Sequence, residues 1–388
     1  MNNRLADKGL VRLSNSTIND ITLNHAAIQA GKGRKLDNIY SVTWFLPIVT
    51  HALKGGVRTI FTFAEELSKK WGCINNFVIY SHSGHDFDVN LITQSLRLHF
   101  PGLRFVIRKF LNGKDSTDTL PGSEIAFCTL WTTAYLLLKY NRVLKKFYFM
   151  QDYEPLFYEA GSTYAVIEQT YRFGFSCIAN TPGVGNKYLL YSNDLVNFIP
   201  GVDKTIFFPE TIKKTSITPY RVVFYGRPGN PRNCFTLGVL ILQALKRKLK
   251  DYVQIISVGA DWNVKEYGLE GVVENWGLLG SLKEVADLYR SSDIGLVFMV
   301  TPHPSYQPLE YMACGCVVAT NINEANTWLL NDTNSLQLEP IPEIAAQRMH
   351  DLLKDENRKA ELVKQGLDAV ESMSWDVAYK VFENRLLN

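Results

Sequence analysis

The sequence predicts an α/β protein built from two doubly wound domains, and three observations carry that reading. Apolar runs of strand length recur at residues 39–49, 77–80, 104–107, 175–179, 221–225, 253–259 and 294–300, with amphipathic helical stretches between many of them. The 388 residues are too many for one ordinary core and suit two. Finally, PHPSYQPLEYMACGC (302–316) stands between the apolar runs 294–300 and 317–319 and reads as a loop opening into a small-residue helix closed by Gly315. That is one step of a parallel α/β sheet, and such a loop lies at the carboxyl edge where open sheets take ligands.

Composition narrows the classes. Hydrophobic residues make up 46% and charged residues 20% of the chain, a globular balance with no sign of disorder. The net charge of +3 is divided unevenly: residues 1–200 hold 21 Lys+Arg against 15 Asp+Glu, and residues 201–388 hold 20 against 23. This imbalance is too weak to imply nucleic acid. It suits a first domain that approaches anionic headgroups or a phosphate-linked acceptor, and a scatter of surface lysines accounts for it equally well. Six cysteines (Cys73, Cys128, Cys177, Cys234, Cys314, Cys316) have no paired spacing and read as reduced, buried thiols. The N-terminus lacks the apolar core of a signal peptide. The longest uncharged, mostly apolar run, 125–138, is shorter than the roughly 20 residues that span a bilayer. These features predict a cytoplasmic protein, with peripheral contact at the inner face of the membrane if the basic first domain meets lipid.

In chain order, residues 1–36 form an N-terminal arm with a few helical hydrophobics and end in the basic run GKGRK. A strand over 39–49 leads through Gly55-Gly56 into an amphipathic helix over 57–71. Strand, two glycines and helix can cradle a phosphate, and a tight turn with no ligand is as good a reading. Residues 126–147 read as one amphipathic helix carrying Lys139, Arg142, Lys145 and Lys146. Such a helix packs on a core with a wet face or lies on a membrane surface. Next, the hydrophobic run before QDYEP predicts a strand whose end presents Asp152 and Glu154, either as base and acceptor anchors or, for Asp152, as a helix cap. Helices over 164–173 and within 180–191 flank a short strand at 175–179, and the domain boundary falls near Pro200.

The second domain opens with a strand ending in Gly226-Arg227, with Arg232 in the following loop. Guanidinium groups grip phosphate oxygens in pairs, and surface ion pairing is the plain alternative. A helix over 235–249, a strand over 253–259 and a strand ending at Trp276-Gly277 continue the alternation. Ser281 with Glu284 forms a capping-box start for a helix over 281–291. A helix starting near Gln307 or Pro308 aims its free N–H groups at an anion. Glu310 is too close to that anion to be its partner and makes sense as an acceptor for sugar or ribose hydroxyls, or as a solvated helix-start carboxylate. Helices over 344–353, 357–372 and 374–387 close the chain.

The run PLEYMACGCVVA (308–319) resembles the donor-sugar helix of the retaining glycosyltransferases of family 4, which have the GT-B fold of two Rossmann-like domains facing across a cleft. The resemblance extends from about residue 38 to the end. It implies an acceptor-binding domain over 1–199, a donor-binding domain over 200–373, and a last segment, 374–388, crossing back onto the first. By the same resemblance, Gly55-Gly56 is the interdomain glycine pair, Arg227 and Arg232 grip the donor diphosphate, and Trp276 stands in the base-binding loop. Main-chain atoms around Tyr306, Gln307 and Leu309 meet phosphate, and Glu310 meets the ribose. The motif's first glutamate is replaced by Pro302, beside His303, which joins Asp152 and Glu154 as a candidate on the sugar and acceptor side. QDYEP and PHPSYQPLE are similar to runs in bacterial rhamnosyltransferases of cell-surface and S-layer glycan assembly. The implied partners are therefore a dTDP-β-L-rhamnose donor and a lipid-linked glycan acceptor, without metal or other cofactor. A sugar-nucleotide epimerase on the same fold and a sugar-nucleotide-binding protein without catalysis are the alternatives.

Overall fold

The computed structural model describes residues 11, 14–53, 55–210, 219–302, 305–324 and 326–388. The chain divides into two compact units, Met1–Phe198 with Ala378–Asn388, and Ile199–Val377. Among the described residues no helix is long and apolar enough to cross a membrane.

In the first unit the elements run α1 (Ile18–Gly31), β1 (Ser41–Pro47), α2 (Gly55–Trp71), β2 (Ile74–Ser81), α3 (Asn90–His99), β3 (Phe105–Leu111), β4 (Ser123–Cys128), α4 (Trp131–Lys139), β5 (Val143–Met150), α5 (Ser162–Thr170), β6 (Ser176–Asn180), α6 (Thr181–Tyr188) and β7 (Leu195–Phe198). The strands form one sheet in the order β3-β2-β1-β4-β5-β6-β7, and every pairing is parallel. Parallel strands are covered on both faces, so they appear in sequence as continuous apolar runs. In the core Trp44 stacks on Phe127 at 4.1 Å, and Phe382 of the last helix lies along the same ring at 5.6 Å. The N-terminal arm is fixed at α1 by a capping box between Thr17 and Asp20.

Residues 126–147 are not one helix. They are the end of β4, the short helix α4 and the start of β5. Lys145 and Lys146 therefore belong to a strand, and the single basic amphipathic helix expected there, whether packed on the core or lying on a membrane, is replaced by these three elements. Lys146 is 5% exposed; its ammonium donates to Asn24 Oδ1, Leu137 O and Asn141 Oδ1, each at 2.8 Å. None of these acceptors is charged, and burial pulls the ammonium from its ordinary 10.5 down to about 7. Between those two values the unfolded chain binds a proton that the folded chain does not, so this group makes stability rise with pH. Lys146→Met is expected to remove that rise, a difference on the order of a few kcal/mol across the window. Urea unfolding at neutral and alkaline pH measures it, and equal pH slopes in both proteins would refute the assignment.

The second unit contains β8 (Tyr220–Tyr225), α7 (Phe235–Leu249), β9 (Val253–Val258), β10 (Glu274–Asn275), α8 (Leu282–Arg290), β11 (Ile294–Leu296), α9 (Gln307–Ala313), β12 (Val317–Asn321), β13 (Leu336–Leu338), α10 (Pro342–Lys354) and α11 (Glu356–Val370). The last helix, α12 (Trp375–Leu387), passes from this unit into the first at Val377–Ala378. The sheet order is β10-β9-β8-β11-β12-β13, again parallel throughout. Ser281 caps α8, its hydroxyl accepting from Glu284 N–H at 3.2 Å, as the capping-box spacing predicts. Gly295 sits mid-strand in β11 because a Cβ there would lie 2.4 Å from the Tyr311 ring of α9. Only a bare backbone lets α9 pack so closely on the sheet. All six cysteines are free, and five are buried. Burial pushes the Cys73 and Cys314 thiols up to about 12, so they are inert.

Candidate active site

In a doubly wound sheet, ligands settle at the carboxyl ends of the strands, where the strand order reverses. In the second unit the chain winds outward from β8 through β9 to β10, then returns to the other side of β8 with β11. The reversal therefore lies between β8 and β11. Arg227 leaves the carboxyl end of β8, and the loop after β11 leads into α9, so both arms of this switch point carry residues singled out in the sequence.

Arg227 is half-buried. Its Nη1 donates to Tyr225 Oη at 3.2 Å, and the guanidinium lies 5.7 Å from the Tyr225 ring. Tyr289 and Tyr311 pack edge to face, with centroids 4.4 Å apart. Burial raises the Tyr289 phenol well above its ordinary value, and Tyr311, Glu310 and Tyr225 add to the rise. Tyr225, the partner of Arg227, and Glu310 thus act on one buried phenol from opposite arms of the switch. At the start of α9, Tyr306 occupies the cap position without a side-chain cap bond, and Pro308 falls in the first turn. Tyr306 meets Trp375 edge to face at 6.3 Å. Gln307 accepts a hydrogen bond from Ser305. Leu309 is 2% exposed, so its side chain belongs to the core and only its main chain can face a ligand. Glu310 is half-buried.

Two further sites lie on the same edge. Trp276 follows β10, is 45% exposed and donates through Nε1 to Glu274 at 3.3 Å. Arg232 occupies a short turn, Pro231–Asn233, between β8 and α7. His303 lies outside the described residues. Pro302, in place of the expected glutamate, is buried.

Sequence reasoning missed what holds the loop after β11. Asn321, at the end of β12, accepts from Met299 N–H at 2.8 Å, and Asn323 donates to Thr301 O at 2.7 Å. The signal was present in the asparagine-rich run NINEAN (321–326). Side-chain amides supply the hydrogen bonds that a loop backbone loses on leaving the ladder.

In the first unit the structure joins two of the predicted elements. α2 begins at Gly55, whose φ of +47° suits glycine, and Gln151 of the QDYEP run donates through Nε2 to Gly56 O at 2.8 Å. The carboxylates of that run are not open to solvent. Asp152 is 5% and Glu154 3% exposed. Glu154 Oε2 accepts from Trp131 N–H at 2.5 Å and from the Tyr148 hydroxyl at 3.2 Å. The Glu154 carboxylate therefore stabilises the positive end of α4. Asp152 Oδ1 accepts from Tyr153 N–H at 2.8 Å.

Residues 220–350 match the family model of the WsaF C-terminal domain. Over that stretch the chain resembles WsaF. Over 366 residues it is 39% identical to the O-antigen biosynthesis protein RfbC of Myxococcus xanthus, which covers 94% of this chain and 28% of that protein. It thus spans little more than a quarter of the curated relative. Among solved structures, sucrose-phosphate synthase from Thermosynechococcus elongatus superposes with a TM-score of 0.67 at 15% identity over 89% of this chain and 98% of that one. HepE from Anabaena, in complex with UDP, gives 0.69 at 13% identity over 88% and 98%. These likenesses establish the fold, and the WsaF match covers β8 through α9, where Arg227 and Glu310 stand.

Proposed function

We propose that this chain transfers a sugar from a nucleoside diphosphate to a hydroxyl of a growing cell-surface glycan. The observation that carries the reading is Arg227 at the carboxyl end of β8, with α9 and Glu310 on the other arm of the same switch point. The name of the Myxococcus relative and the UDP held by the Anabaena structure support it.

In this mechanism, cleavage of the sugar–phosphate bond leaves negative charge on the departing diphosphate. Arg227, Arg232 and the main-chain N–H groups opening α9 meet that charge, and they stabilise it more in the transition state than in the bound donor. Glu310 accepts a hydrogen bond from a hydroxyl of the nucleoside sugar, and Trp276 offers a face to the base. The finer assignment is a dTDP-β-L-rhamnose donor, metal-independent transfer with retention at the anomeric carbon, and a lipid-linked acceptor reached from the membrane surface. The donor rests on the QDYEP and PHPSYQPLE runs, and retention on the resemblance of residues 308–319 to the family 4 glycosyltransferases.

A panel of dTDP-, UDP- and GDP-sugars tests the reading, first by thermal shift and then with radiolabelled donor and a rhamnose-terminated oligosaccharide. A donor at 100 times its dissociation constant stabilises by about 2.7 kcal/mol, and dTDP-rhamnose is expected to give the largest shift and acceptor-dependent transfer of label. A larger shift with a UDP-sugar overturns the donor assignment. Binding without transfer to any acceptor makes the protein a sugar-nucleotide binder.

A further inference from the structure

The first unit has a second concavity, at the amino-terminal edge of its sheet, where β5 and β6 begin rather than end. It encloses about 420 Å³, within the roughly 300–1,000 Å³ of small-molecule sites. Four basic side chains line it, Lys32, Lys145, Lys146 and Arg385, against one acidic side chain, Asp194. The run GKGRK, which the proposed transfer does not use, supplies Lys32 and Gly33 to its wall.

The charges in this cavity do not balance. Arg385 pairs through Nη2 with Asp194, whose other oxygen accepts from the Ser176 hydroxyl at 2.6 Å. The Lys145 ammonium donates to Leu386 O at 2.9 Å, and the Lys146 ammonium meets neutral acceptors alone. Arg385 Nε is buried and has no hydrogen-bond partner. Burial disfavours the charged forms of Lys145, Lys146 and Arg385, and the guanidinium adds like-charge repulsion at Lys145. An unpaired donor and excess positive charge in a partly dry cavity are a liability unless an anion completes them.

We propose that this cavity binds a free phosphomonoester, its dianionic oxygens received by the Arg385 guanidinium and the Lys145 ammonium, with Lys146 and Lys32 also in its wall. Such a ligand offers the several strong acceptors and the double negative charge that the wall lacks. It would reach the enzyme from the side of the sheet opposite the strand ends that carry Gln151 and Asp152.

Calorimetric titration of inorganic phosphate at fixed ionic strength tests this, in an Arg227→Ala background that weakens the proposed diphosphate site. Saturable binding is expected. Lys145→Met and Arg385→Gln should each weaken it about tenfold, the loss of one charge-assisted hydrogen bond. Asp194→Asn should tighten it by removing the competing carboxylate, an effect that a poorly folded variant does not produce. Vesicles of phosphatidic acid form the comparison arm. No saturable binding, indifference to Lys145→Met and Arg385→Gln, weaker binding in Asp194→Asn, or capture of vesicles without a response to soluble phosphate would each overturn the proposal.

Discussion

Arg227→Ala lowers the turnover of sugar transfer by about 100- to 1,000-fold, the size of effect seen when one preorganised donor to a developing oxyanion is removed. The same substitution changes the free energy of unfolding by less than about 1 kcal/mol, because a half-buried guanidinium with one tyrosine partner contributes little to folding. The two effects separate because the Arg227 side chain bonds to Tyr225 in the free protein, whereas the proposed role is to meet the additional negative charge that develops on the diphosphate as the donor bond breaks. Initial rates with saturating donor, together with a urea titration of each protein, measure both quantities. Parallel losses in turnover and stability would return Arg227 to the status of a structural residue.

Glu154→Ala is expected to do the reverse. Its carboxylate accepts from the Trp131 N–H at the start of α4 and from the Tyr148 hydroxyl, with 3% of the residue exposed. Removing the acceptor leaves two buried donors unsatisfied, a cost of roughly 3 kcal/mol. Glu154→Gln, which keeps an oxygen in place, should cost less. Both variants should show turnover per folded molecule near that of the parent protein. If Glu154→Ala instead folds with parent stability and loses turnover, the carboxylate belongs to the chemistry and the structural assignment fails.

The contrast between these residues shows what the sequence makes legible. The placement of Arg227 and Glu310 is readable because their setting is local: a strand followed by Gly-Arg, and a loop followed by Pro-Leu-Glu at a helix start. Most strands are readable because parallel sheets bury both faces, so β1, β2, β6, β8, β9 and β12 appear as apolar runs. The misreading of 126–147 has a physical cause. No glycine or proline marks the junctions of β4, α4 and β5, and the lysines suggest a wet face. Lys146 is instead buried by a partner 122 residues away, Asn24. The place of Glu154 beside a strand end is readable, but its bond from the Trp131 N–H, 23 residues earlier, leaves no local signal. The run NINEAN marks the asparagines at 321 and 323, but their partners are main-chain groups of Met299 and Thr301, which no residue type in the sequence identifies.

The central claim is that Arg227 meets the diphosphate of the donor rather than its nucleoside. Titration of the parent protein and of Arg227→Ala with thymidine diphosphate and with thymidine tests it most directly. The account predicts that the substitution weakens the diphosphate by about tenfold or more, the loss of a charge-assisted contact, and leaves thymidine unchanged. Equal weakening of both ligands, or of neither, would contradict it.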